Sequence, residues 1–325
     1  MCVAETNIDE QKSRDGVPFP LVLEPSLGEG VKREDLLSWL SENREELRAM
    51  MLKHGAVLLR GFPVSGADDF EAVLDSAEFE NMPYIGGAAT REQVTNKRVL
   101  TANEAPPDEP IPFHHEMAQV PDPPAYIFFY CDIAPETGGE TAIVHSNRVY
   151  QRFAHESPDF AKKIEEEGVR YIRVMPDQDD KTSPIGRSWR STFLTQTRDE
   201  AEEKMRAIGS TWRWQDDGNL YTQTALVPAI RREGRSGMKT FFNSMVAAYT
   251  GWTDSRNDAK KAVVCGDGSP VDGQAIMKVS KAMDEECVAF RWEAGDVLMV
   301  DNSLVMHCRR PYKGDRRILA SIAVA

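Results

Sequence analysis

Residues 111–120 read IPFHHEMAQV. If this run is a strand, His114 and Glu116 project from one face, because alternate strand residues point the same way, and His115 points from the other. An imidazole and a carboxylate on one face are two of the three protein groups in a 2-His-1-carboxylate metal site. The third must come from another part of the chain, and the later histidines are His145, His155 and His307. His155 precedes a predicted helix start in a polar stretch and reads as surface. His307 follows the apolar run 297–300 within GDVLMVDNSLVMHCRRP, where a rigid strand can hold a ligand, and it is the stronger candidate. Two histidines and one carboxylate leave open positions for a cosubstrate and O₂ together, the arrangement that suits non-haem Fe(II) oxygenases. An isolated H-x-E pair also arises in proteins that bind no metal, so its neighbours matter. Ten residues beyond His307 stands Arg317, and Thr141 closes the run ETGGET. An arginine and a hydroxyl beside a metal can hold the far end of a dicarboxylate through charge-assisted hydrogen bonds.

These groups need elements to position them. Residues 35–54 carry a helical stripe of Leu36, Leu37, Leu40, Leu47, Met50 and Met51, with Gly55 as a stop before the strand-like run 56–60. A second helix is predicted over 67–76. From residue 98 onward short strand-like runs alternate with Pro and Gly, over 98–101, 113–117, 126–132 and 141–144. Ser157-Pro158 opens a helix ending at Gly168, and Thr197 with Glu200 forms a capping box for a helix ending at Gly209. Further strands are predicted over 169–175, 211–214, 220–226, 287–292, 297–301 and 317–324. Strands at both ends of the core with helices between them point to an antiparallel β sandwich or jelly roll. No glycine-rich strand-to-helix turn of a nucleotide-binding kind supports an alternating β-α-β reading.

Neither repeats nor a long linker divide the 325 residues, so one domain spanning 1–325 is expected. Within it, 1–97 would pack helices and strands on the core, 98–150 and 287–325 would supply the metal- and cosubstrate-bearing strands, and 151–286 would add core strands with helical insertions. The formal net charge of −13 disfavours nucleic acid and anionic membranes as partners. The polar, mixed-charge first fifteen residues do not resemble a signal or transit peptide, and no apolar run approaches the ~20 residues of a membrane span. A cytoplasmic location is the expectation. The five cysteines, Cys2, Cys131, Cys265, Cys287 and Cys308, form no C-x-x-C pair and read as reduced, mostly core thiols. Cys308 beside His307 is a weak candidate for a nucleophile, since adjacent strand residues face opposite ways.

The ordered runs GAVLLRGF, TANEAPP, IPFHHEMA, PETGGET, FFNSMVAAYTGW, GDGSP, GDVLMVDN, HCRRPY and RRILAS resemble the TauD/TfdA-type Fe(II)/2-oxoglutarate-dependent dioxygenases, and among them the plant clavaminate-synthase-like proteins. The resemblance covers most of the chain. It implies a mostly β fold with inserted helices around a double-stranded β-helix (jelly roll) core of the clavaminate-synthase-like type. His114, Glu116 and His307 match the family's iron ligands. Glu116 stands where many relatives have Asp and where the clavaminate-synthase branch has Glu. Halogenating relatives have a small residue there, so a carboxylate implies hydroxylation or desaturation. Thr141 and Arg317 match the positions that hold the distal carboxylate of 2-oxoglutarate; Arg316 would turn away if Arg317 faces the metal. Taurine dioxygenases carry a sulfonate-binding arginine where this chain has Ser321, which disfavours a sulfonate substrate.

The resemblance implies Fe(II), 2-oxoglutarate and O₂ as cofactors, and hydroxylation, desaturation or cyclisation at an unactivated C–H bond of a small or carrier-bound substrate, with succinate and CO₂ released. Asn103 is a candidate substrate contact or a turn-stabilising amide. His115 is expected to pack away from the metal, and Phe241, Phe242, Tyr249 and Trp252 to be core. Arg309 and Arg310 either pair with some of the acids, the favoured reading, or meet an anionic substrate. Two other classes remain: a zinc-type hydrolase using the same ligands, and a non-catalytic jelly-roll binding protein. The hydrolase gives Thr141 and the arginine no task.

Overall fold

The computed structural model describes residues 3–26, 30–103 and 105–325. Cys2, and Glu104 of the TANEAPP run, lie outside the described residues. Seven strands form the larger sheet in the order Val3–Thr6, Leu21–Pro25, Ala56–Leu59, Val297–Asp301, Tyr126–Ile133, Arg317–Ala323 and Leu100–Thr101. Its pairings are antiparallel except for Leu21–Pro25 with Ala56–Leu59. A three-stranded antiparallel sheet places Val305–Arg309 between Ile143–His145 and Ile111–His114.

Alternation along the large-sheet strands creates two apolar faces. Ile127, Phe129, Cys131, Leu298, Val300, Ile318, Ala320 and Ile322 face inward and pack with Ile143 and Val305 of the small sheet. Their neighbours Tyr126, Phe128, Tyr130, Val297, Met299 and Leu319 face outward, against helices Arg33–Glu42, Arg44–His54 and Ala67–Ser76. The far face of the small sheet, through Phe113, Val144 and Met306, packs on helices Ser146–Glu156, Pro158–Glu167, Met245–Gly251 and Gly273–Glu286. Two sheets enclosing one core, flanked by helices, are consistent with the expected jelly roll. A four-stranded sheet, Thr211–Trp214, Leu220–Gln223, Val169–Met175 and Val263–Cys265, adjoins this framework.

Several local expectations need correction. The stripe over 35–54 is two helices, because Asn43 leaves helical geometry (φ −117°, ψ 29°) and its side chain bonds back to the Trp39 carbonyl. Gly55, at φ 76°, ends the second as expected. The expected capping box at Thr197 is half made: Thr197 accepts from the Glu200 N–H, while the Glu200 carboxylate is taken by Thr195. Residues 287–292 contribute a single bridge, Val288 to Ile143, rather than a strand. Helix Gly273–Glu286 was not expected; Asp272 caps it by accepting from the N–H groups of Gln274 and Ala275. No helix among the described residues is long and apolar enough to cross a membrane.

Candidate active site

His114 and His307 lie directly opposite each other in the small sheet, which sets two histidines far apart in sequence side by side on one face. Their ring centroids are 4.4 Å apart. The expected strand over 113–117 is in fact Ile111–His114, so strand alternation does not place Glu116. A side-chain clamp does. The Glu116 N–H donates to Asn302 Oδ1 (2.8 Å), and Asn302 Nδ2 donates to the carbonyls of Glu116 (3.1 Å) and Pro124 (2.8 Å). Asn302 lies in the turn that leads from strand Val297–Asp301 of the large sheet into Val305–Arg309 of the small one, so the segment that carries His307 also registers Glu116.

One ligand atom from each of His114, Glu116 and His307 lies within 4.8 Å of the others, and the three side chains meet in one cavity. The donor set fits a divalent cation. His114 Nδ1–H donates to the Pro112 carbonyl (2.8 Å), fixing the tautomer that leaves Nε2 free. Burial and the neighbouring His307 hold the His114 pKa down to about 4, so the ring is neutral. Burial opposes ionisation of Glu116, but Arg91 and the two histidines outweigh it and bring its pKa to about 2. His307 Nδ1 is buried without a hydrogen-bond partner, an orphaned donor or acceptor of the kind a bound group would satisfy.

His115 points away from this cluster, as expected. It is fully buried, donates from Nδ1 to the Asn302 carbonyl (2.5 Å), accepts at Nε2 from Ser146 (2.8 Å) and stacks on Phe242 at 4.3 Å. Burial drives its pKa well below that of a free imidazole. Burial, then Arg148, also lowers His145 to about 4. These three neutral histidines set a pH dependence. Below about 6.5 the unfolded chain binds protons that the folded chain refuses, so stability falls as pH drops from 6.5 toward 4. Asp301, which burial pushes up to about 6 despite Arg235, opposes this with one proton. Together they predict a loss of roughly 3 kcal/mol per pH unit near pH 5 in metal-free protein. Urea midpoints in EDTA at pH 7.5 and 5 check this; equal midpoints would contradict it.

The arginine beside Thr141 is Arg316, not Arg317. A bulge separates Arg317 from Ile318, with Ile133 opposite Arg317 and Cys131 opposite Ile318. Ile318 faces the cavity, and Arg316, two residues away, lines it too. Arg317 is turned outward, half-exposed, and pairs with Asp132 at 2.8 Å. The rule that these neighbours face opposite ways holds, but in the reverse phase. Arg316 Nε donates to the Gly139 carbonyl (2.9 Å), and its Nη2 lies 3.5 Å from the Thr141 hydroxyl, which also accepts from Trp292 Nε1 (3.3 Å). Gly139, at φ 72°, keeps this approach open: a Cβ there would stand 3.0 Å from Arg316 Cδ. Among the described residues Arg316 has no ion-pair partner, and burial lowers its pKa to about 10. A half-buried guanidinium with no acid beside it among the described residues, next to a hydroxyl, is a site for an anion.

Asn103 lines the cavity, and its Oδ1 accepts from the Ala105 N–H (2.9 Å), so it makes the turn and faces the cavity as well. Among the described residues Arg309 pairs with no acid. Its guanidinium donates to the carbonyls of Asn103, Ala105, Pro106 and Glu109, tying the 103–109 loop to the cavity rim. Arg310 does approach an acid, Asp284, at 3.9 Å. Phe241 is core, Phe242 covers His115, and Trp252 is core that also lines the cavity. The Tyr249 ring carries Lys260 Nζ 3.7 Å from its centroid. Burial raises the Cys308 thiol far above the ordinary range, which removes it as a nucleophile.

Sequence reasoning missed Arg91. Its Nη2 meets Glu116 Oε2 at 3.0 Å, and its guanidinium lies 4.4 Å from the Tyr84 ring centroid. It sits in a polar irregular loop, where spacing carries no signal.

The sequence pattern of the family described as taurine catabolism dioxygenase TauD, TfdA family matches residues 18–322. The chain belongs to the TauD/TfdA family. A clavaminate synthase-like protein of Arabidopsis thaliana is 45% identical over 326 aligned residues, covering 99% of this chain and 98% of that protein. Two solved structures share the fold. A taurine dioxygenase from Burkholderia xenovorans has a TM-score of 0.55 at 15% identity, covering all of this chain and 90% of that one. AAD-2, solved with Mn(II) and N-oxalylglycine, has a TM-score of 0.54 at 14% identity, covering 99% and 98%. This TauD/TfdA protein is a 2-oxoglutarate-dependent dioxygenase, and Fe(II), 2-oxoglutarate and O₂ are its implied cofactors.

Proposed function

We propose that this dioxygenase hydroxylates, or desaturates or cyclises, an unactivated C–H bond of a small organic substrate, with His114, Glu116 and His307 holding Fe(II) and with Thr141 and Arg316 holding the distal carboxylate of 2-oxoglutarate. The observation that carries this reading is the meeting of two features in one cavity: a largely buried 2-His-1-carboxylate cluster and a half-buried arginine that lacks a counter-ion among the described residues. A zinc hydrolase would use the first and leave the second unexplained. AAD-2 was solved with Mn(II) and N-oxalylglycine, a pairing of metal and dicarboxylate that agrees with this division of the cavity.

Bound iron with 2-oxoglutarate supplies the oxidation of the C–H bond, with succinate and CO₂ as products. The chain does the rest. Pro112 fixes the His114 tautomer, Arg91 keeps Glu116 ionised, and Asn302 holds the Glu116 backbone in register with the strand that carries His307. Gly139 and Thr141 fix the Arg316 guanidinium, so a dicarboxylate has one orientation. Phe129, Trp252, Ile185 and Ile318 supply apolar wall that excludes water. We assign Asn103 a substrate contact through its amide nitrogen, since its oxygen is engaged by Ala105.

The test is decarboxylation of 2-oxoglutarate without a primary substrate. Protein supplied with Fe(II) in air should form succinate and CO₂ slowly, and EDTA or zinc should abolish both. Equal turnover with zinc, or no succinate above the metal-free control, would overturn the reading.

A further inference from the structure

Four charged side chains line the active-site cavity among the described residues: Arg91, Arg309, Arg316 and the single carboxylate Glu116. Resting on the function proposed above, the charges of iron and 2-oxoglutarate cancel, Glu116 offsets one arginine, and two arginine charges remain. Arg309 is held by four backbone carbonyls at the rim. Arg316 has its task in the cosubstrate. Arg91 is left.

Its side chain is 6% exposed, and among the described residues only one of its three guanidinium nitrogens has a hydrogen-bonding partner, Nη2 on Glu116; Nε and Nη1 are buried with none. Buried donors without partners are rare and costly, and a buried charge more so. The guanidinium is also rigid. Tyr84 lies between Arg91 at 4.4 Å and Arg187 at 4.6 Å, and Arg187 is anchored on the carbonyls of Tyr84, Gly87 and Ser191. Gly87 permits this wrap, since a Cβ there would fall 2.0 Å from Tyr84 Cζ. A stacked arginine next to the metal cluster, with N–H groups to spare, is a preorganised carboxylate receptor.

We propose that Arg91 binds a carboxylate of the primary substrate, which makes that substrate a small, largely apolar organic acid presented with its carboxylate free. A carboxyl group joined to a carrier as a thioester lacks the charge and the second oxygen this site takes, so the reading favours a free acid over a carrier-tethered acyl group. Apart from Glu116, the described cavity residues offer no carboxylate for a substrate ammonium, while Phe129, Trp252, Ile185 and Ile318 suit an apolar body.

The test is calorimetric binding to protein loaded with Mn(II) and saturating 2-oxoglutarate. The probes are propanoate, butanoate, hexanoate and phenylacetate, each paired with its primary amide. At least one acid should bind about 30-fold more tightly than its amide, the size of a charge-assisted contact. Arg91→Gln should reduce that preference to within about threefold, and Arg91→Lys should fall between. A merely structural role for Arg91 would weaken acid and amide alike and leave the ratio unchanged. No acid preference in the wild type, or a preference that survives Arg91→Gln, overturns the proposal. If the loaded protein takes up no 2-oxoglutarate, the proposed function fails instead, and the same acid and amide pairs, titrated into the protein with Mn(II) alone, still decide the role of Arg91.

Discussion

Arg316→Ala should weaken 2-oxoglutarate binding at least about 100-fold, while Arg317→Ala leaves it unchanged. The two residues are adjacent and chemically identical, so the contrast isolates position. Arg316 is half-buried, lines the cavity, and reaches toward Thr141 with no acid among the described residues to neutralise it. Removing it deletes two or more charge-assisted hydrogen bonds to the far carboxylate, each worth about 1.5–3 kcal/mol. Arg317 is half-exposed and loses only a surface pair with Asp132, worth about 0–1 kcal/mol of stability. Titration of 2-oxoglutarate into Mn(II)-loaded protein, followed by calorimetry, measures both. A large loss in Arg317→Ala with none in Arg316→Ala would reverse the assignment. Thr141→Val should fall between, since it removes one neutral hydroxyl from the same pocket.

The second large effect separates metal binding from folding. Glu116→Ala should destabilise the metal-free protein by about 3–5 kcal/mol, because it leaves Arg91 charged and buried with no counter-ion. His307→Ala should change metal-free stability far less than that, since Glu116, the acid beside it among the described residues, keeps Arg91. Both should lose more than about 100-fold in metal affinity, exceeding what outer hydrogen-bonding partners of a ligand contribute. Urea denaturation in EDTA gives the first quantity and Mn(II) titration the second. If His307→Ala bound Mn(II) as tightly as the wild type, His307 would not be a ligand. If Glu116→Ala left metal-free stability unchanged, Arg91 would have another partner.

Much of this site was legible from residue types. His114, Glu116 and His307 could be nominated because a ligand set of mixed type needs few positions and the chain has few histidines. The geometric reason was only half right. Sheet pairing brings His307 opposite His114, but Glu116 lies past the strand end and is held by Asn302. Such a clamp joins residues 186 positions apart, and local pattern cannot reveal it. The arginine was placed one residue away because a bulge resets alternation and both faces of 318–322 are apolar, Ile318 inward and Leu319 outward. Arg91 was invisible for a different reason. Its role comes from a loop folded around Tyr84, where neither period nor propensity constrains the chain. In the fold, strand Val169–Met175 stood where expected, since it alternates cleanly between buried and half-buried residues. Helix Gly273–Glu286 was missed although Asp272 caps it and Ile276, Val279 and Met283 form its buried stripe.

The central claim is that one cavity holds Fe(II) on His114, Glu116 and His307 and, beside it, 2-oxoglutarate on Thr141 and Arg316. Anaerobic titration of the metal-free protein with Fe(II) and then 2-oxoglutarate tests it most directly. A visible charge-transfer band should grow to saturation at one equivalent of each, vanish in His307→Ala, and in Arg316→Ala require far more 2-oxoglutarate. Absence of the band in the wild type, or its survival in His307→Ala, would contradict the account.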